Sequence, residues 1–276
     1  MKKILIITLV LLVGMYMFYY MNKKEDNNIT NNFEEDRYMF ISYIDYSYLK
    51  GKDENSLKEE IDKIVLNIKN SNFNGIILQV RAFSDAIYNS KIYSPSLKIV
   101  NNEDDKLNLD LLDYFIKKSH ENNIKLIAWI NPYRIRSNND ISNISENNVV
   151  YKYLNTSNVE IKEGIYFNPA SDEVLDLIVN GVLEIVENYN VDGILYDDYF
   201  YPSKTCDLKD YELYKTQGGT KSLEDFRRDN INKLITKTYE KIKEIKKDVL
   251  FGISPSGNMN NNYNDEYLDI NYFIFD

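Results

Sequence analysis

One cysteine, one histidine and one tryptophan are all that this 276-residue chain holds of those types. With Cys206 alone, no disulfide can close within the chain and no set of thiolates can assemble around zinc. The single His120 excludes a three-histidine zinc site and leaves a Ser-His-Asp triad without support. It lies in Lys117-Lys118-Ser119-His120-Glu121, a polar helix end where a cation complements the helix dipole. Glycine is sparse, with 10 residues, and no glycine-rich phosphate loop follows any strand signal. No cofactor and no metal-ligating residue is therefore assigned, and chemistry has to rest on carboxylates, tyrosines or an oxygen-ligated metal. Positive charge is short too. Against 43 Asp and Glu stand 33 Lys and Arg, a net charge of −10, which disfavours nucleic acid or anionic lipid as partners.

What the chain does have is tyrosine, 24 residues of it, in a composition rich in Asn, Ile and Lys. Tyrosine stacks on a sugar face and hydrogen-bonds through its hydroxyl. It also has one long apolar run, residues 4–21, between Lys2-Lys3 and Lys23-Lys24. The run is near the lower limit for spanning a bilayer, and no small-x-small cleavage site follows it. Residues 1–22 therefore read as a signal anchor, or as a signal peptide if cleaved. Residues 23–36 read as a polar linker, and 37–276 as a folded domain on the extracytoplasmic side.

Along that domain, strand and helix signals alternate. Strands are expected at 38–46, 75–80, 126–130, 193–196, 249–254 and 272–276. Helices are expected from Ser56 with a Ser56–Glu59 capping box, from Asn108, from Ser171 and from Ser222. Long loops, including 81–106 and a polar 133–170, follow the strands. This order predicts a parallel sheet that curls into a (β/α) barrel, with a doubly wound sheet as the alternative. The count is six strands where a full barrel has about eight, so the barrel is expected to be incomplete, with unpaired strand edges.

In such a fold chemistry sits at strand C-termini. The most informative stretch is Val191-Asp192-Gly193-Ile194-Leu195-Tyr196-Asp197-Asp198-Tyr199-Phe200-Tyr201-Pro202, a buried strand that ends on two carboxylates followed by aromatics. Side chains alternate along a strand, so Asp197 and Asp198 face different ways. Asp197 is assigned as nucleophile or base, with Asp198 next in line, and Asp85 or Asp276 as the acid. Gln79, Arg81, Trp129, Asn131, Tyr133, Arg134, Tyr199, Ser254 and Asn258 are assigned to substrate binding. Arg81 is placed to grip hydroxyls or a carboxylate, and Trp129 to floor a sugar subsite.

Several segments together resemble the bacterial glycosyl-hydrolase-like family 10, also called DUF187. They are Gly75-Ile76-Ile77-Leu78-Gln79-Val80-Arg81 with Ser84-Asp85-Ala86-Ile87-Tyr88, then Ala128-Trp129-Ile130-Asn131-Pro132-Tyr133-Arg134 and Phe167-Asn168-Pro169. The Val191–Pro202 block, Phe226-Arg227-Arg228-Asp229-Asn230 and Phe251-Gly252-Ile253-Ser254-Pro255-Ser256-Gly257 follow in order. The resemblance spans about residues 38–275. It implies a barrel enzyme acting on extracytoplasmic glycans, with one branch cleaving peptide-free peptidoglycan strands. Where the family usually has a histidine before Ala-Trp, Ile127 stands here. Three readings follow: a membrane-anchored glycoside hydrolase, a glycan-binding barrel without catalysis, and a Ca²⁺ or Mg²⁺ site on Asp197 and Asp198.

Overall fold

The structure, a computed structural model, describes residues 35–270. The expected anchor at 4–21 and the expected strand at 272–276, with Asp276, lie outside the described residues. Among the described residues, no helix is long and apolar enough to cross a membrane. The chain divides after Asp36, and the folded unit begins at Arg37.

Five parallel strands make the main sheet, in the order β1-β2-β3-β7-β8. They are β1 (Tyr38–Ile41), β2 (Gly75–Arg81), β3 (Lys125–Ile130), β7 (Gly193–Tyr196) and β8 (Leu250–Ile253). Each neighbouring pair is joined through a helical crossover, as parallel pairing requires. The crossovers hold α1 (Glu54–Asn70), α2 (Leu111–Glu121), α3 (Asp172–Asn188) and α5 (Leu223–Ile245). A short α4 (Leu208–Thr216) precedes α5, and α6 (Met259–Asn264) follows β8. β1 and β8 are the sheet's outer strands among the described residues.

Strand alternation divides the sheet into two faces. Ile76, Leu78, Val80, Leu126, Ala128, Ile130, Ile194 and Tyr196 are all 0–1% exposed. They pack with Leu57, Ile61, Phe115, Val182, Ile185, Ile231 and Leu234 of the helices in one core. Each Ile, Leu, Val or Phe among them contributes about 1.5–3 kcal/mol by leaving water. The other face carries Phe40, Ile77, Ile127, Gly193 and Leu250 in one register row, and Gln79, Trp129, Leu195 and Gly252 in the next. Phe40 and Leu250 are 52% and 53% exposed, at the two outer strands.

Several boundaries differ from the sequence reading, each for a local reason. β1 stops at Ile41 because Asp45 Oδ2 accepts from the Ser42 amide and hydroxyl, both at 2.7 Å, and turns the chain. α1 is capped by Asp53, not by a Ser56–Glu59 box; its carboxylate accepts from the Asn55 and Ser56 amides and the Ser56 hydroxyl. α2 is capped by Asp110, while Asn108 donates to the Lys52 carbonyl at 2.7 Å. Ser171 and Ser222 cap α3 and α5 as expected. The expected loop 133–170 contains a three-stranded antiparallel sheet, β4 (Arg134–Arg136), β6 (Ile165–Phe167) and β5 (Val159–Ile161). Strands of three residues are too short to show a period.

His120 sits in the last turn of α2, with Nε2 2.9 Å from Asp192 Oδ2. Asp192 precedes β7 and also accepts from the Leu126 amide. This pair ties strand N-termini together, at the end of the sheet away from the acids.

Candidate active site

Following the register one step beyond the strands brings Asn131, Asp197 and Ser254 into one row. Their amides donate to Arg81 O, Ile130 O and Tyr196 O respectively, continuing the ladder. Asp197 takes a side-chain hydrogen bond from Ser254, and its carboxyl is pushed above the usual range first by burial, then by the charge of Asp198. Asp198 turns out of the strand with φ +49°, left-handed backbone that Asp tolerates better than most residues. Its Oδ2 accepts from Asn131 Nδ2 at 2.9 Å and lies 3.1 Å from Arg134 Nη1.

A relay of amides reaches this carboxylate from the sheet. Gln79, 1% exposed, accepts from the Tyr43 amide at 3.1 Å and donates to Asn131 Oδ1 at 3.1 Å. Asn131, equally buried, passes its remaining donor to Asp198. Gln79 and Asn131 thus spend these side-chain hydrogen bonds on holding the Asp198 carboxylate. Arg134 has a second anchor, Nε to the Ala82 carbonyl at 3.2 Å, and lies over the Phe83 ring at 5.1 Å.

Asp198 and Arg134 open onto a cleft of about 290 Å³, walled by Tyr133, Tyr166, Phe200, Tyr201 and Pro202. Tyr133 is only 2% exposed, and burial pushes its hydroxyl well above the tyrosine range. Tyr166 pairs with Arg134 across β4 and β6, so the small antiparallel sheet delivers one wall of the cleft. Phe83 also lines a smaller cavity of about 180 Å³, together with Asp85, Leu97, Lys98 and Arg136. Burial raises the Asp85 carboxyl, while Ser96 and the Phe83 amide bond to it.

The loop that follows the acids is clamped from behind. Arg227 of α5 makes a two-pronged pair with Asp207, Nε to Oδ2 at 2.9 Å and Nη2 to Oδ1 at 2.8 Å. Its other donors reach Tyr267 Oη and the Lys204 carbonyl, each at 2.8 Å. Both side chains are almost wholly buried, at 3% and 0% exposure. One guanidinium thus ties α5 to the loop after β7 and to the segment after β8.

Three expected substrate contacts lie elsewhere. Arg81 is 2% exposed, its guanidinium 4.0 Å from the Tyr93 ring centre and packed against Gly181 of α3. A register shift between Gln79 and Arg81 turns it to the helix side of the sheet, beside its partner Ile130. Tyr199 is wholly buried, and its hydroxyl has no hydrogen-bond partner. Asn258 spends its side-chain oxygen capping α6, accepting from the Asn260 and Asn261 amides. Trp129 stays on the inner face, half-buried, with its ring 5.7 Å from Phe40. Tyr166, Tyr43, Phe83 and Lys98 are the site neighbours that strand-end reasoning missed. Each comes from a loop or a three-residue strand without periodic signal.

Parallel strands backed by helices, with acids and aromatics gathered at the strand C-termini, put this site where α/β barrel folds carry their chemistry. A structural likeness agrees: α-L-fucosidase isoenzyme 2 from Paenibacillus thiaminolyticus superposes with a TM-score of 0.53 at 18% identity, over 78% of this chain and 32% of that one. The chain belongs to the glycosyl hydrolase-like 10 family, whose pattern matches residues 29–275. Glycosyl hydrolase YngK of Bacillus subtilis strain 168 is 32% identical over 254 residues, 84% of this chain and 49% of that protein. Glycosyl hydrolase DigH of Escherichia coli strain K12 is 33% identical over 215 residues, 74% of this chain and 49% of that protein. The chain spans about half the length of the curated relatives it matches.

Proposed function

We propose that this chain is a glycoside hydrolase of an extracytoplasmic glycan, with peptide-free peptidoglycan strands as its substrate, held at the membrane by residues 4–21. Family membership supports the reaction class, and the apolar run flanked by lysines supports the location. The observation that carries the chemistry is the contrast between two adjacent acids. Asp197 is held above the usual carboxylate range by burial and by Asp198. Asp198 is ion-paired to Arg134 and faces the cleft.

Pairs of acids whose environments differ in this way divide the roles of glycoside hydrolysis. Asp197, whose carboxyl is shifted toward the protonated form, gives a proton to the departing glycosidic oxygen as the C–O bond breaks. Asp198 supplies the negative charge at the anomeric carbon, as nucleophile or as the base that takes a proton from water. This reverses the assignment made from strand position alone, which gave Asp197 the charged role. Water completes the balance: the donor sugar gains a hydroxyl and the acceptor keeps the proton.

A second reading is a glycan-binding barrel that does not cleave. It is favoured by Asp197 and Asp198 leaving the same strand end, with Asp198 alone of the two lining the cleft. Mass analysis of strands incubated with the full chain separates the two. Shorter fragments whose masses together exceed the parent strand by one water per cut support hydrolysis, and retention of intact strands without fragments supports binding alone.

A further inference from the structure

Lys98 shares a small cavity with Asp85 and is held there by aromatic rings, not by an ion pair. Arg134 is paired with Asp198, and Arg136, which lines the smaller cavity, is paired with Glu103. Lys98 lines that same cavity and takes part in no ion pair among the described residues. Its ammonium is placed instead by two aromatic faces, 5.0 Å from the Tyr43 ring centre and 5.8 Å from that of Phe83. Those rings are themselves in edge contact, 5.2 Å apart, and Arg134 lies over both. Lys98 and Arg134 thus share the Tyr43 and Phe83 rings, which sets the smaller cavity next to the arginine paired with Asp198. A half-buried ammonium braced by rings is an anchored point charge, and point charges of this kind bind compact anions.

We propose that Lys98 determines specificity by binding a carboxylate carried on a sugar, while the ring it belongs to sits in the cleft beside Asp198. The proposal rests on the glycan reading above and adds to it the charge of the substrate. A cavity of about 180 Å³ accommodates a carboxylate and its bearing carbon, not a further sugar ring. The Asp85 carboxyl in the same lining is raised by burial, the direction that lessens the repulsion an incoming carboxylate meets. The Leu97 side chain in the same lining suits a methyl or methylene next to the charge. The carboxylate has two natural sources, the C6 of a uronic acid or an ether-linked lactyl group.

The test is a set of binding titrations with the full chain. Peptide-free glycan strands are compared with the same strands whose carboxyls have been reduced to alcohols. Glucuronate, N-acetylmuramate and neutral N-acetylglucosamine are followed separately by NMR. The expected result is a preference of about tenfold for the acidic strands at low salt, the size of one charge-assisted contact, shrinking as salt rises. Lys98→Met should bring the acidic-to-reduced ratio close to one, and Lys98→Arg should keep most of it. Glucuronate and N-acetylmuramate responses tell the two sources apart.

Equal affinity of the wild-type chain for acidic and reduced strands, with no response to either acidic monosaccharide, overturns the inference. So does a Lys98→Met variant that keeps the ratio. Should Lys98→Met fail to fold, the wild-type ratio and the Lys98→Arg variant still decide. Cleavage without charge preference would refute Lys98 as the reader and leave hydrolysis standing. Charge preference without cleavage would do the reverse.

Discussion

Asn131 Nδ2 donates to Asp198 Oδ2 at 2.9 Å, and the same side chain accepts from Gln79 through its oxygen. A buried asparagine used from both ends fixes the carboxylate's position relative to the sheet. Asn131→Ala should leave Gln79 Nε2 without an acceptor and cost about 1–3 kcal/mol, the usual penalty for an orphaned buried polar group. Chemical denaturation should show a lower midpoint with an unchanged slope. Glycan affinity should fall with it, because Arg134 alone then orients Asp198. A variant of unaltered stability would mean that the relay contributes nothing.

The Arg227–Asp207 pair gives a sharper stability prediction. Arg227→Met strands a carboxylate that is wholly buried. Removing one partner of such a pair costs about 3–5 kcal/mol, while replacing both by apolar residues costs much less. Equilibrium unfolding of Arg227→Met, Asp207→Leu and the double variant should therefore give a double variant more stable than the sum of the single losses. Simple additivity would contradict the clamp.

Much of this was legible in the sequence. β7 at Gly193–Tyr196 and the caps Ser171 and Ser222 stand where periodicity and capping place them. Asp197, Asp198, Asn131 and Arg134 do gather at one strand-end site. Arg81 misled because a bulge reverses a face without any signal in composition, and the residue's type suits a buried stacked cation as well as a substrate grip. Tyr199 misled because alternation is lost where Asp198 turns to positive φ. The small antiparallel sheet escaped notice because its three-residue strands draw stability from tertiary contacts, not from local propensity.

Asp197 also sets a pH dependence. In the fold its carboxyl titrates above the ordinary value that it has in the unfolded chain. The folded state thus holds the proton longer. The stability this gives is fully present below the ordinary carboxylate range and is lost as pH rises through the raised value. Asn cannot ionise, so Asp197→Asn should gain in melting temperature relative to the parent as pH rises across that window, and the difference should level off beyond it. A difference that stays flat from acid to neutral pH would show that Asp197 titrates normally.

Reducing-end release from peptide-free glycan strands, followed over time with the full chain, bears most directly on the central claim. The parent should release new ends steadily. Asp197→Asn and Asp198→Asn should each lose about 10²-fold or more while remaining folded, as expected when a proton donor or a charged partner is removed. Release that persists unchanged in both variants would contradict the roles given to the two acids, and a parent that binds the strands but releases no ends would leave a glycan-binding barrel in place of a hydrolase.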